Sequence, residues 1–210
     1  MSMWSVALAN GKGGVGKTTL SIILAQESLM TGYKTICIDL DPQKNFQDAM
    51  RLYSARPENE KYLKGLSVHG PMEVIDIPDD GPDTLVVVDC PPALQDMTLM
   101  GMKTAQKIIV PVMSDIFSIL NLGVVYDLAQ KCGKSHDDVS LVSIGFQQSG
   151  LTLPPALLNE INSNKYYLLG DLPLSRFIPT NIAVGKMWAT GMPMGKRHPF
   201  YKLLKYITEV

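Results

Sequence analysis

Lys12 and Lys17 stand at either end of a nest of glycines in GKGGVGKTTL, residues 11–20. Glycines let a backbone curl until successive N–H groups point inward at an anion. A helix that begins where such a loop ends adds the positive end of its dipole. Gly11-Lys12-Gly13-Gly14-Val15-Gly16-Lys17-Thr18 satisfies the pattern G-x-x-x-x-G-K-[ST]. In that pattern the Lys17 ammonium reaches the β- and γ-phosphates of a nucleotide, and the Thr18 hydroxyl can ligate Mg²⁺. Thr19 is grouped with the loop as nucleotide-binding. The pattern leaves the first lysine, Lys12, without a role.

Two carboxylate stations accompany the loop. Asp89 closes the apolar run LVVVD. A carboxylate at the carboxyl end of a neighbouring parallel strand faces the same crevice as the loop and can hold Mg²⁺ through water. Asp39 and Asp41 lie in DLDPQ, where period-two alternation sends both to one side if the strand geometry persists. Asp41 can instead cap a helix or form a turn before Pro42, and Asp89 can likewise be a cap.

The elements that must position these groups alternate. Buried strands are expected at residues 5–9, 34–40, 85–90, 107–112 and 139–146, with a shorter one at 72–77. Helices fit 18–30, 46–53, 116–132, 155–163 and 200–207. Residues 54–65 and 78–83 read as solvated loops. Strands apolar on both faces, alternating with helices, predict an α/β fold with a doubly wound, mostly parallel sheet. The 210 residues are expected to form one domain, 1–210, with no repeat or linker.

Composition narrows the class. With 46% hydrophobic and 19% charged residues the chain is globular rather than disordered. No apolar run reaches membrane-spanning length, and the first residues do not read as a signal peptide, so a cytoplasmic location is expected. Cys37, Cys90 and Cys132 show no CxxC spacing, and His69, His136 and His198 are scattered. The net charge of -1 conceals an asymmetry. Residues 1–149 carry 12 Lys/Arg and 17 Asp/Glu, residues 150–210 carry 7 and 3, and no acid falls between Leu172 and Thr208. A basic carboxyl-terminal part suggests an anionic partner.

KGGVGKTT, DLDPQ and VVVDCPP, in this order, resemble the ParA/MinD family of deviant Walker A ATPases, and most of all its small partition type. IIVPV and FIPTNIAVGKMWATGMPMGK are similar to later segments of the family. The resemblance implies a P-loop NTPase fold, ATP and Mg²⁺ as cofactors, and slow basal hydrolysis. It also implies a role for Lys12, which would reach across a homodimer to the phosphates of the partner's ATP while Lys17 serves its own. A solvated surface lysine is the other reading of Lys12. Asp41 matches the acid that positions or activates the attacking water, and Asp39 and Asp89 match outer magnesium ligands. Pro179 matches a position near adenine. Lys44 and Thr180 depart from the family's usual glycine and arginine. No helix-turn-helix extension precedes the loop, so autoregulation by that route is not expected.

The resemblance also implies nonspecific DNA binding by the ATP dimer, nucleoid association, and a centromere-binding or adaptor protein that stimulates hydrolysis. Lys186, Lys196, Arg197, Lys202 and Lys205 are the DNA-binding candidates, although each alone is as well explained as a solvated lysine or arginine. The amphipathic end FYKLLKYITEV admits a MinD-like membrane contact, but two cations give little attraction to anionic lipid, and membrane binding is not expected. Positioning of a protein organelle and ATP-dependent metabolic ligation are alternatives on the same fold. Asn164-Lys165-Tyr166-Tyr167 lacks the acid of a guanine-reading motif.

Overall fold

Short β-branched runs become strands because both of their faces are covered. The fold comes from a computed structural model and is described for residues 3–70, 83–112, 116–143, 167–168 and 199–208. In chain order the elements are β1 (Met3–Leu8), α1 (Lys17–Met30), β2 (Lys34–Asp39), α2 (Asn45–Ser54) and β3 (Leu66–His69). They continue with β4 (Thr84–Asp89), α3 (Asp96–Thr104), β5 (Lys107–Val112), α4 (Ile116–Lys131), β6 (Val139–Ser143), β7 (Tyr167–Leu168) and α5 (Pro199–Thr208).

The strands form one seven-stranded sheet in the order β3-β2-β4-β1-β5-β6-β7. Every pairing is parallel. The neighbours of β1 are β4 on one side and β5 on the other, so the strand order reverses there, and the segment leaving its carboxyl end opens into the switch-point crevice.

Alternation along each strand feeds two cores. Val6, Leu8, Cys37, Leu85 and Val87 pack with α1, α2 and α5 through Leu20, Leu24, Phe46, Met50 and Leu204. Ala7, Ile36, Ile38, Val86, Val88 and Ile108 pack on the opposite face with Met102 of α3 and Leu122 and Val125 of α4. Each such aliphatic side chain contributes about 1.5–3 kcal/mol on full burial. The doubly wound parallel sheet expected from the sequence is therefore present.

Three stretches differ from expectation. Residues Pro57–Gly65, expected as solvated loop, form a run of 3-10 turns. Asn59 is buried there and its Nδ2 donates to the Tyr53 carbonyl at 2.9 Å, while Tyr62 and Leu63 pack against the core. The high charge of PENEKYLKG hides those few anchors. Helix α3 has no clear sequence signal because Gly101 interrupts it. A Cβ at Gly101 would lie 2.7 Å from Cys90 Sγ and 3.3 Å from Val88 Cγ1, so the glycine allows α3 to lie close on β4. The edge strand β3 falls at Leu66–His69, whereas the strand expected at 72–77 and the helix expected at 155–163 lie outside the described residues.

Candidate nucleotide site

The loop between β1 and α1 is pinned from below. Asn10 is fully buried; its Nδ2 donates to the Pro111 carbonyl at 2.7 Å, and its Oδ1 accepts the Lys12 backbone N–H at 2.9 Å. Val15 is buried and anchors the middle of the loop. Gly14 and Gly16 have φ of 76° and 90°, the left-handed region that a side chain would strain. Gly11 is held by space instead: a Cβ there would come within 2.8 Å of Leu94 Cδ1.

Helix α1 starts at Lys17 with Gly16 at its N-cap, and no side chain caps it. Its first N–H groups are therefore left to a ligand or to water at the positive end of the helix. Lys17 is only 6% exposed, and its Nζ donates to the Lys12 carbonyl at 3.0 Å. Burial pulls its pKa below the ordinary lysine value, opposed by the negative charges of Asp89, Cys90 and Asp41. The ammonium is thus desolvated in advance, a state in which a phosphate oxygen is attracted strongly.

Asp89 lies at the carboxyl end of β4, fully buried, in register with Leu8 of β1 and Asp39 of β2. Thr18 Oγ1 donates to its Oδ2 at 2.7 Å, and Ser21 Oγ lies 2.9 Å from its Oδ1. Burial pushes the Asp89 carboxyl up to about 7, against the two hydroxyls. Asp39 pushes in the same direction as burial, and Lys17 opposes it. Because Thr18 directs its proton to Asp89, its oxygen lone pairs remain for a hard cation, which is the donor chemistry Mg²⁺ prefers.

Asp39 and Asp41 are engaged with backbone. Asp39 is buried; Oδ1 accepts the Asp41 N–H at 3.0 Å and Oδ2 accepts the Gln47 N–H at 2.9 Å, in the first turn of α2. Burial raises the Asp39 pKa, while N–H groups of Gln47, Asp41 and Phe46 lower it. Asp41 Oδ1 accepts the Gln43 N–H at 2.9 Å, and its carbonyl accepts the Lys44 N–H, so the turn-forming reading of Asp41 is realised. Lys44, where the family usually has glycine, sits at φ 57°. Asp41 nonetheless acts on Lys17, which keeps its charge within reach of the loop.

The loop, Lys17, Thr18, Asp39, Asp41 and Asp89 thus gather at the carboxyl end of the sheet. Lys205 lies on α5, which packs on α1. Pro179, Lys186, Lys196, Arg197 and the side chain of Lys202 lie outside the described residues. Asn10, Ser21 and Leu94 are site residues that sequence reasoning missed. A polar residue directly after an apolar strand and a serine three residues after Thr18, on the same helix face, were the available signals for the first two.

A glycine loop at the switch point of a parallel sheet, running into an uncapped helix beside two strand-end carboxylates, defines a P-loop nucleotide-binding protein. A family model described as an AAA domain matches residues 3–77. The chain is 23% identical over 224 residues to the chromosome-partitioning ATPase Soj of Treponema pallidum, covering 90% of this chain and 88% of that protein. Its fold matches the MinD cell division protein of Aquifex aeolicus with a TM-score of 0.65 at 20% identity, over 96% of this chain and 93% of that one. It also matches the cobyrinic acid a,c-diamide synthase of Mycobacterium smegmatis, solved with bound ADP and magnesium, with a TM-score of 0.59 at 20% identity, over 92% and 98%. The resemblance to the ParA/MinD proteins is thereby borne out along most of the chain.

Proposed function

We propose that residues 1–210 form a single ParA-like ATPase domain that binds ATP with Mg²⁺, hydrolyses it slowly, and closes as a homodimer over two nucleotides. The observation that carries this reading is the desolvated Lys17 ammonium at the uncapped start of α1, beside the Thr18–Asp89 pair. Residues 11–19 hold the phosphates, Lys17 from its own side and Lys12 from the partner's. Thr18, Asp89 and Asp39 surround the metal, Asp41 positions the attacking water, and Pro179 lies near adenine. Magnesium bound there would supply charge neutralisation between the β- and γ-phosphates. The protein residues supply alignment and a site with little water, where positioning counts most. The named activity of the Treponema relative and the ADP and magnesium of the mycobacterial neighbour support these assignments.

In the ATP state the dimer binds duplex DNA without sequence preference and positions a DNA cargo, with a centromere-binding or adaptor protein stimulating hydrolysis. Its place in the cell is then the cytoplasm, associated with the nucleoid. The mycobacterial synthase favours a second reading, ATP-dependent ligation on the same fold. Sedimentation with ATP and with ADP tests the first. The wild type dimerises with ATP and not with ADP, and Lys12→Ala remains monomeric in both. A Lys12→Ala protein that still dimerises on ATP would overturn the trans role of Lys12. A wild type that never dimerises would favour ligation.

A further inference from the structure

The end of the sheet opposite the nucleotide site is basic. Helix α1 is 14 residues long, so its last turn lies about 21 Å from the loop at 1.5 Å per residue. The turn that follows, through Thr31, Gly32 and Tyr33, forms a wall common to two open cavities. One, of about 450 Å³, is also lined by Lys34, Lys61, Lys64 and Tyr62. The other, of about 310 Å³, is lined by Lys205 and Tyr201 of α5 and by Asp83. Four lysines from three separate parts of the chain therefore meet around one turn, against a single lining carboxylate. Lys61 Nζ stands 4.7 Å above the Tyr62 ring, which props the ammonium over an aromatic face.

We infer that this lysine groove is a docking track for the phosphate backbone of duplex DNA. The inference rests on the DNA-binding reading above and gives it a location that the carboxyl-terminal charges alone did not. Only Lys205 belongs to the basic tail; Lys34, Lys61 and Lys64 come from the acidic first part of the chain, where net charge conceals them. Shallow, open cavities lined by flexible ammonium groups suit a sequence-independent polyanion better than a small ligand, which requires enclosure. An acidic protein segment is the other polyanion of that kind. The groove is far enough from the loop for DNA and nucleotide to be held together.

Fluorescence anisotropy of a labelled 24-base-pair duplex of arbitrary sequence, titrated against salt with a nonhydrolysable ATP analogue and magnesium, tests this. Lys61→Gln/Lys64→Gln and Lys34→Gln are compared with arginine at the same positions, with circular dichroism confirming the fold. The expected result is weaker binding, with the log–log salt slope reduced by about one for each lysine removed. The arginine variants retain affinity. A wild type that binds duplex while the glutamine variants bind with the same affinity and slope overturns the groove and leaves the DNA reading intact. A wild type that binds no duplex removes the DNA reading and the groove together. Binding of poly-glutamate but not duplex, lost in the glutamine variants, assigns the groove to an acidic protein partner and overturns the inference.

Discussion

Thr18 Oγ1 donates to Asp89 Oδ2 at 2.7 Å, and this bond ties the first turn of α1 to the end of β4. The two residues are 71 positions apart in sequence, yet the parallel register of β1 and β4 brings them together beneath the loop. Ser21 reaches the other oxygen of the same carboxylate. Asp89 therefore acts on the site already oriented, before any metal arrives.

The protonation of Asp89 gives a prediction with a definite sign. Its carboxyl titrates near about 7 in the folded chain, above the ordinary 3.8, because burial disfavours the ion. The native state thus holds this proton more tightly than the unfolded chain. The associated stability is complete below the ordinary carboxylate range and is lost as pH rises through about 7. Urea midpoints of the nucleotide-free wild type should fall across that window relative to Asp89→Asn and run parallel to it at higher pH. A difference between the two proteins that ignores pH would mean that Asp89 is ionised throughout. Magnesium binding, which needs the anion, should strengthen over the same window.

Asp39 predicts a structural cost. Its oxygens receive the N–H groups of Asp41 and Gln47 at the entry to α2. Asp39→Ala leaves those buried donors without their acceptor and should lower unfolding free energy by about 1–3 kcal/mol. Asp39→Asn keeps one acceptor oxygen and should cost less. If urea unfolding of Asp39→Ala matched the wild type, the carboxylate would owe its place to the metal alone.

The sheet, the loop and the strand-end acids were legible because local pattern specifies them: period two in the strands, glycine spacing in the loop, an acid after an apolar run. What was hidden depended on distant atoms. Helix α3 contains a glycine whose purpose appears only beside Cys90 and Val88. The 3-10 run looks solvated until Asn59 is seen to reach Tyr53. The double duty of Asp39 and Asp41 was readable for Asp41, where Pro42 signals a turn. For Asp39 it was not, since the N–H groups it receives belong to residues up to eight positions onward.

Gly11 and Leu94 should behave as a coupled pair. Alanine at position 11 would meet Leu94 Cδ1 at 2.8 Å and Cγ at 3.0 Å, forcing either the loop or the segment after β4 to move. Gly11→Ala should weaken nucleotide binding about tenfold, equivalent to about 1.4 kcal/mol. Leu94→Ala in the same chain should restore most of it, a non-additivity that a double-mutant cycle by calorimetry measures. Gly14→Ala has open space around it but a φ of 76°, so its strain of about 1–2 kcal/mol should not be relieved by Leu94→Ala. Equal rescue of both glycine variants would contradict the steric account.

Asn10 separates the two contributions of the loop's first lysine, its backbone and its ammonium. The buried Asn10 amide clasps the Pro111 carbonyl on one side and the Lys12 N–H on the other. Asn10→Ala removes both partners at once and should lower stability by about 1–3 kcal/mol, because buried polar groups are left unpaired. It should also weaken the ATP-induced dimer, since Lys12 then leaves an untethered backbone. Lys12→Ala should show the dimer defect with the stability of the wild type. Sedimentation and urea unfolding on the two variants distinguish these outcomes. An Asn10→Ala protein that loses stability but dimerises normally on ATP would show that the tether supports the loop and does not aim Lys12.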